Sequence, residues 1–152
     1  MKHVIHFFTL VLVATTFSCN SPQHETLDNA DWLIGTWKGT TKNQTVFYEK
    51  WQQNSDTLLT NTNFRIKNND TIIGGKSKIV LRNNNVFYSN GMTNSSEVTW
   101  RAKKYTPTQI VFENGALQKL QTIKFELTND NHWQATFIAG KDTVNYFLER
   151  VN

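Results

Sequence analysis

Short runs in which apolar and polar residues alternate recur along most of the chain, and each ends in a cluster rich in Asn, Asp or Gly. Alternation with a period of two marks a strand with one buried face, whereas a helix repeats its apolar positions every three to four residues. No helical stripe of any length is present. The runs cover residues 36–41, 45–52, 57–67, 77–82, 86–90, 97–105, 109–113, 120–128, 133–139 and 143–151. The segments between them, such as "NND", "NNN", "NDN" and "GKD", have the chemistry of tight hairpin turns. Gly74-Gly75-Lys76 reads as one more turn, because no helix follows it to cradle a phosphate. One short helical turn fits between Leu27 and Ile34, with Leu27 and Leu33 free to dock on the domain.

About ten short strands at hairpin spacing build either a sandwich or an up-and-down barrel. Several carry large apolar residues on both faces: Phe47 and Trp51 alternate with Val46 and Tyr48, and Ile123, Phe125 and Leu127 lie on the face opposite Leu120. A sheet exposed on one side would waste that surface. A closed barrel uses one face to line its lumen, covers part of the other by the helical turn or by curvature, and leaves no open edge. The expected fold is therefore all-β, a single antiparallel barrel of about eight to ten strands.

The N-terminus has a different character. Residues 1–18 combine Lys2 and His3 with an uncharged run rich in Val, Leu and Phe, the pattern of a signal peptide. The run is too short for the roughly 20 residues that cross a bilayer. It ends at Cys19, the only cysteine, which can form no internal disulfide. "TFSC" resembles a bacterial lipobox, with Ser18 before the cysteine and Thr16 where leucine is more usual. That resemblance implies a lipidated Cys19, an anchor of several acyl chains, and a tether over residues 19–26 leading to a domain over 27–152. The expected partner is thus a membrane reached through Cys19. Asn20 lacks the acidic character of an inner-membrane retention signal, so the expected address is the cell envelope, at the periplasmic face of the outer membrane.

The chain carries 16 Lys and Arg against 12 Asp and Glu; loss of residues 1–18 removes Lys2 and leaves 15 against 12, a net charge of +3. Such an excess serves solubility. The densest basic cluster, Arg101, Lys103 and Lys104, has no nucleic-acid motif around it, so no nucleic-acid partner is expected. The domain is expected to act as a monomer.

"GTWKG" resembles the Gly-x-Trp signature on the first strand of lipocalins and the wider calycin barrels. Gly35 suits a tight entry into that strand. The resemblance implies that Trp37 closes one end of the barrel and that Arg150, in "YFLERV", lies over its ring. Across nearly the whole mature domain the chain is similar to a family of small uncharacterised bacterial lipocalin-like domains. The shared motifs are Trp32-Leu33-x-Gly35-x-Trp37, Glu49-x-Trp51 and Phe112-Glu113-Asn114. Such relatives continue the last motif with a histidine and an aspartate, which "FENGALQKL" lacks.

Few groups suit catalysis. Beyond the signal peptide only His24, in the tether, and His132, in a turn, remain. With no folded thiol and one folded histidine, a Cys/His site or a histidine-rich zinc site is not expected, and neither a metal nor a cofactor is. Two carboxylates, Glu49 and Glu113, could act as acid and base. Phe47, Glu49 and Trp51 share a strand face, so a Trp51 inside the barrel brings Glu49 with it. A buried glutamate needs a partner or a raised pKa. It either anchors a ligand or pairs with Arg65, Arg101 or Lys124, and the pairing weighs slightly more. The aromatic residues could line a cavity or fill it. The candidate ligand-binding set is Glu49, Trp51, Tyr88, Trp100 and Glu113. Binding of a small apolar or amphipathic ligand without catalysis is the expected function; the alternative is a filled barrel acting as an interaction module.

Overall fold

The computed structural model describes residues 26–91, 97–117 and 119–151; the segment read as a signal peptide, Cys19 and most of the expected tether lie outside them. Ten strands follow a 3-10 helix, Asp28–Leu33: β1 (Gly35–Thr40), β2 (Val46–Ser55), β3 (Leu58–Lys67), β4 (Asp70–Arg82) and β5 (Asn85–Gly91). The second half adds β6 (Val98–Thr106), β7 (Gln109–Glu113), β8 (Leu120–Asn129), β9 (His132–Ala139) and β10 (Asp142–Arg150). Each strand pairs antiparallel with its neighbours in sequence, and β1 also pairs with β10, closing the barrel. The expected up-and-down barrel is what the chain forms.

Turn chemistry sets the register. Asn68 and Asn69 (φ 53° and 66°) link β3 to β4, and Asn83 and Asn84 (φ 47° and 59°) link β4 to β5. Two consecutive residues at positive φ make the turn whose twist matches paired strands, and asparagine tolerates that conformation better than other non-glycine residues.

The Gly74-Gly75-Lys76 run is not a turn. It lies inside β4, where the pairing shifts from Asn63 opposite Gly75 to Phe64 opposite Ile73. Gly74 is the extra residue of a β-bulge, and a Cβ there would come within 2.8 Å of Asn63 Oδ1. Glycine marks bulges and close backbone approaches as well as turns, so β4 begins at Asp70 and runs for 13 residues.

The lower end of the barrel, where β1 begins, is plugged. The 3-10 helix sends Ala30 and Leu33 into it together with the preceding Leu27, all with no exposed surface. The Leu27 amide donates to Asp56 O (2.9 Å), in the β2–β3 turn, and Asn29 Nδ2 reaches Tyr105 O (3.4 Å). Above this plug Phe125 meets Trp51, Tyr88, Phe112 and Trp133 with ring centroids 5.2–6.2 Å apart. Aromatic pairs at this spacing add about 0.5–1.5 kcal/mol each beyond their burial. The lower half of the lumen is therefore solid core.

The helix plugs an end and does not cover the outer wall. Ile66, Ile73 and Phe147 stay 56%, 54% and 69% exposed, while Tyr48 stacks on Phe64 of the adjacent strand (5.2 Å, 15°). The second apolar face that argued for a barrel is left largely to solvent.

Candidate functional site

The sealed end is built around Trp37. Its ring is fully buried, and Nε1 donates to Leu33 O at 2.6 Å. The Arg150 guanidinium carbon lies 4.1 Å from the Trp37 ring centroid. Arg150 also donates to three carbonyls: Nη1 to Ile34 O (2.9 Å), Nη2 to Trp32 O (3.2 Å) and Nε to Asp130 O (3.2 Å). Gly35 has φ 131°, and a Cβ there would approach Arg150 Nη1 to 2.6 Å. Glycine is needed for the backbone conformation and for the space under the guanidinium. These three residues tie the helix, the first strand and the last strand together, and none of them lines the cavity at the other end.

Above the aromatic core the lumen opens into a cavity of about 800 Å³, within the range of roughly 300–1,000 Å³ typical of small-molecule sites. Its lining follows from reading inward-facing positions up each strand. On β3 these run Leu59, Asn61, Asn63 and Arg65; on β4 they run Ile79, Ser77 and Gly75; on β5, Tyr88 and Asn90. Each face passes from apolar to polar, so the chain stops filling the barrel partway up. Two unlike walls result. One is polar and short-chained, with Asn61, Asn63, Ser77 and the bare backbone at Gly75, where an added Cβ would meet nothing within 4 Å. The other is aromatic: Phe47 packs edge-on against Tyr146 (5.4 Å, 84°), which packs edge-on against Phe137 (5.8 Å, 73°). Gly39 makes room for that wall, since a Cβ there would lie 2.4 Å from the Phe47 ring.

Glu49 stands on the floor of this cavity. Trp51, two residues along the same face of β2, donates Nε1–H to Glu49 Oε2 at 2.9 Å, so the Glu-x-Trp motif is a hydrogen-bonded pair within one strand. Burial pushes the Glu49 carboxyl up to about 7, against the opposing effect of hydrogen bonds from Trp51, Asn63 and Asn61. Desolvation disfavours the charged form, and neutral donors compensate only part of it. The pairing expected with Arg65, Arg101 or Lys124 does not form. Lys124 bridges Glu126 (2.6 Å), Arg101 hydrogen-bonds Asn85, and Arg65 lies toward the mouth. Tyr88, on the same floor, is raised above the ordinary phenol range by burial, opposed by its hydrogen bond with Ser77, and raised further by the Glu49 charge. It stays a neutral hydroxyl.

The other sequence candidates are placed differently. Trp51 is buried beneath Glu49 and supports the floor from below. Trp100 is buried against Tyr88 (5.8 Å) and donates Nε1–H to Leu120 O (3.0 Å), behind the cavity surface. Glu113 is exposed on the outside of β7, between the inward Phe112 and the following loop. It cannot contact a ligand in the lumen, and it lies far from forming an acid/base pair with Glu49. In the same motif Asn114 is structural: its Nδ2 donates to Thr99 O (2.7 Å) and its Oδ1 accepts from the Ala116 amide (3.0 Å). His132 is an exposed turn residue hydrogen-bonded to Asn129 Oδ1 (2.9 Å).

Sequence reasoning missed Phe47, Asn61, Asn63, Ser77 and Phe137 as cavity residues, and counted Tyr146 among the aromatics able to line a cavity without placing it in the candidate set. The signal for two of them was present: Asn61 and Asn63, followed by Arg65, sit at alternate positions directly after Leu59, which is the pattern of a strand leaving the core for a polar lumen. Among the described residues no three His, Cys, Asp or Glu side chains converge as metal ligands, and no helix is long and apolar enough to cross a membrane.

No protein-family model matches the chain, and no curated protein does. Among solved structures the chain is similar to a redesigned β-barrel, at 12% identity with a TM-score of 0.43, over 82% of this chain and 96% of that one.

Proposed function

We propose that this is a lipid-anchored envelope protein that binds a small amphipathic molecule in the upper lumen of its barrel, without catalysing a reaction on it. The observation that carries the reading is the division of the lumen into an aromatic core below and an open cavity of about 800 Å³ above. A fold needs no such cavity; each large apolar side chain placed there would contribute about 1.5–3 kcal/mol by burial. The lining selects the ligand class. An aromatic wall facing amide, hydroxyl and bare backbone groups suits a body with one apolar and one hydrogen-bonding side, and suits a plain acyl chain poorly. A single carboxylate with no second carboxylate or histidine beside it among the described residues, and with a neighbouring Tyr88 held neutral, favours binding over acid–base chemistry. The alternative of a filled barrel fits the lower half alone.

The lipobox-like sequence before Cys19 supports an anchor, and the short stretch between Cys19 and Leu27 would keep the domain close to the membrane. The order of the Trp-Leu-x-Gly-x-Trp, Glu-x-Trp and Phe-Glu-Asn motifs supports kinship with bacterial lipocalin-like domains. Two experiments test the reading. Cys19→Ala should move the protein from the membrane to the soluble fraction. The neutral amphipathic probe N-phenyl-1-naphthylamine should brighten on binding the wild type and fail to do so with Gly75→Trp, which projects an indole into the cavity. Equal brightening in both, with the variant folded, would sink the cavity assignment.

A further inference from the structure

We propose that the cavity recognises an amphipathic amine, an organic monocation whose ammonium seats against Glu49 while its apolar body lies along Phe47, Tyr146 and Phe137. This rests on the ligand-binding reading above and adds to it the charge and orientation of the ligand.

The argument begins with what Glu49 lacks. Its hydrogen-bond partners are the Trp51 indole and the side-chain amides of Asn61 and Asn63, all neutral. No Lys, Arg or His among the described residues lies within ion-pair distance of it, although Lys38, Lys78 and Lys124 each find a carboxylate elsewhere. The floor is also rich in acceptors. Asn61 is 5% exposed, and its Oδ1 is enclosed without any donor. A carboxylate with only neutral partners, lining a cavity open to small molecules beside an enclosed amide oxygen that has no donor, is complementary to an ammonium group, which carries three donors and no acceptor.

The surroundings favour a cation over a neutral donor. Tyr88 and Phe47 line the cavity with Glu49, and aromatic faces near a carboxylate stabilise a desolvated positive charge. An anionic group could not occupy the floor without meeting Glu49 in a poorly solvated place.

The remaining charges set the direction of entry. The charged residues lining the cavity are Glu49, Arg65 and Lys76. Arg65 lies two residues beyond Asn63 on β3, about 7 Å nearer the mouth at the usual rise per residue, and both cations are exposed. In water their field is screened over roughly 8–10 Å, so they do not cancel the attraction at the floor. They do oppose a second positive charge at the mouth, which limits the ligand to one cationic end, pointing down.

Three probes with the same ring and a similar linker separate the possibilities: 2-phenylethylamine, 2-phenylethanol and 3-phenylpropionate, each titrated calorimetrically into wild type and Glu49→Gln at about pH 8, above the Glu49 titration. The amine should bind the wild type roughly tenfold or more tighter than the alcohol, and the propionate most weakly. Glu49→Gln should erase the amine's advantage while leaving the alcohol within about threefold, and its near-ultraviolet circular dichroism should match the wild type's. Lowering the pH to about 5.5 neutralises Glu49 while the amine remains the ammonium it already is at about pH 8, and should erase the same advantage in the wild type alone. An amine that binds no better than the alcohol or the acid, or whose preference survives in Glu49→Gln, overturns the proposal. If the amine does not bind at all the proposal also falls, and entry of N-phenyl-1-naphthylamine then decides whether the cavity reading falls with it.

Discussion

Replacing Glu49 by glutamine should stabilise the protein at neutral and alkaline pH. The carboxyl titrates near 4.5 in an unfolded chain and at about 7 in the folded one, so the folded state holds its proton more tightly. Below about pH 4.5 the group is protonated in both states and costs nothing. As the pH rises from 4.5 to 7 the unfolded chain ionises first, which favours unfolding; above 7 both states are ionised and the penalty is constant. A shift of this size corresponds to about 3 kcal/mol, at 1.36 kcal/mol per pH unit, and water entering through the mouth makes that an upper figure. Glutamine keeps an acceptor for the Trp51 indole and carries no charge, so it escapes the penalty. The variant should therefore melt higher than the wild type by on the order of 10 °C at about pH 8, with the gap closing progressively down to about pH 4.5. Urea denaturation followed by tryptophan fluorescence across that range measures the difference directly, and the other titrating groups cancel between the two proteins. A variant equal to or less stable than the wild type at about pH 8 would show that Glu49 is solvated or paired, and would refute the burial argument.

The other predictions concern the sealed end and the glycines. Arg150→Lys should cost about 2–4 kcal/mol in chemical denaturation, because an ammonium keeps the charge but cannot hold three carbonyls while lying flat on Trp37; a loss below about 0.5 kcal/mol would mean the contact is incidental. Gly39→Ala should destabilise by about 1–3 kcal/mol through its clash with Phe47, whereas Gly75→Ala, facing open space, should stay within about 0.5 kcal/mol of the wild type. Equal effects at the two sites would contradict the placement of the cavity wall.

The barrel was legible because its punctuation is local. Paired asparagines at 68–69 and 83–84 specify hairpin turns on their own, and apolar residues on both faces require closure whatever the register. Gly74-Gly75 misled because a glycine pair signals a turn and a bulge equally, and the deciding contact with Asn63 lies on another strand. Glu49 shows the same division. Its inward direction follows from Trp51 two residues later, while its partner could not be chosen without the cross-strand register, and it proved to be that same Trp51. Glu113 entered the candidate set through a motif, although the inward Phe112 beside it already places it outside by strand alternation. The cavity itself stayed hidden because an aromatic residue reads alike whether it fills a lumen, as Trp51 and Phe125 do, or lines one, as Phe47 and Tyr146 do.

The most direct test of the account is native mass spectrometry of the intact protein isolated gently from the membranes of its own host, alongside Gly75→Trp prepared in the same way. The account predicts a small noncovalent adduct on the wild type, released on collisional activation and absent from the variant, with both carrying acyl chains on Cys19. A wild type whose mass is that of the acylated chain alone, or an adduct retained in full by Gly75→Trp, would contradict it.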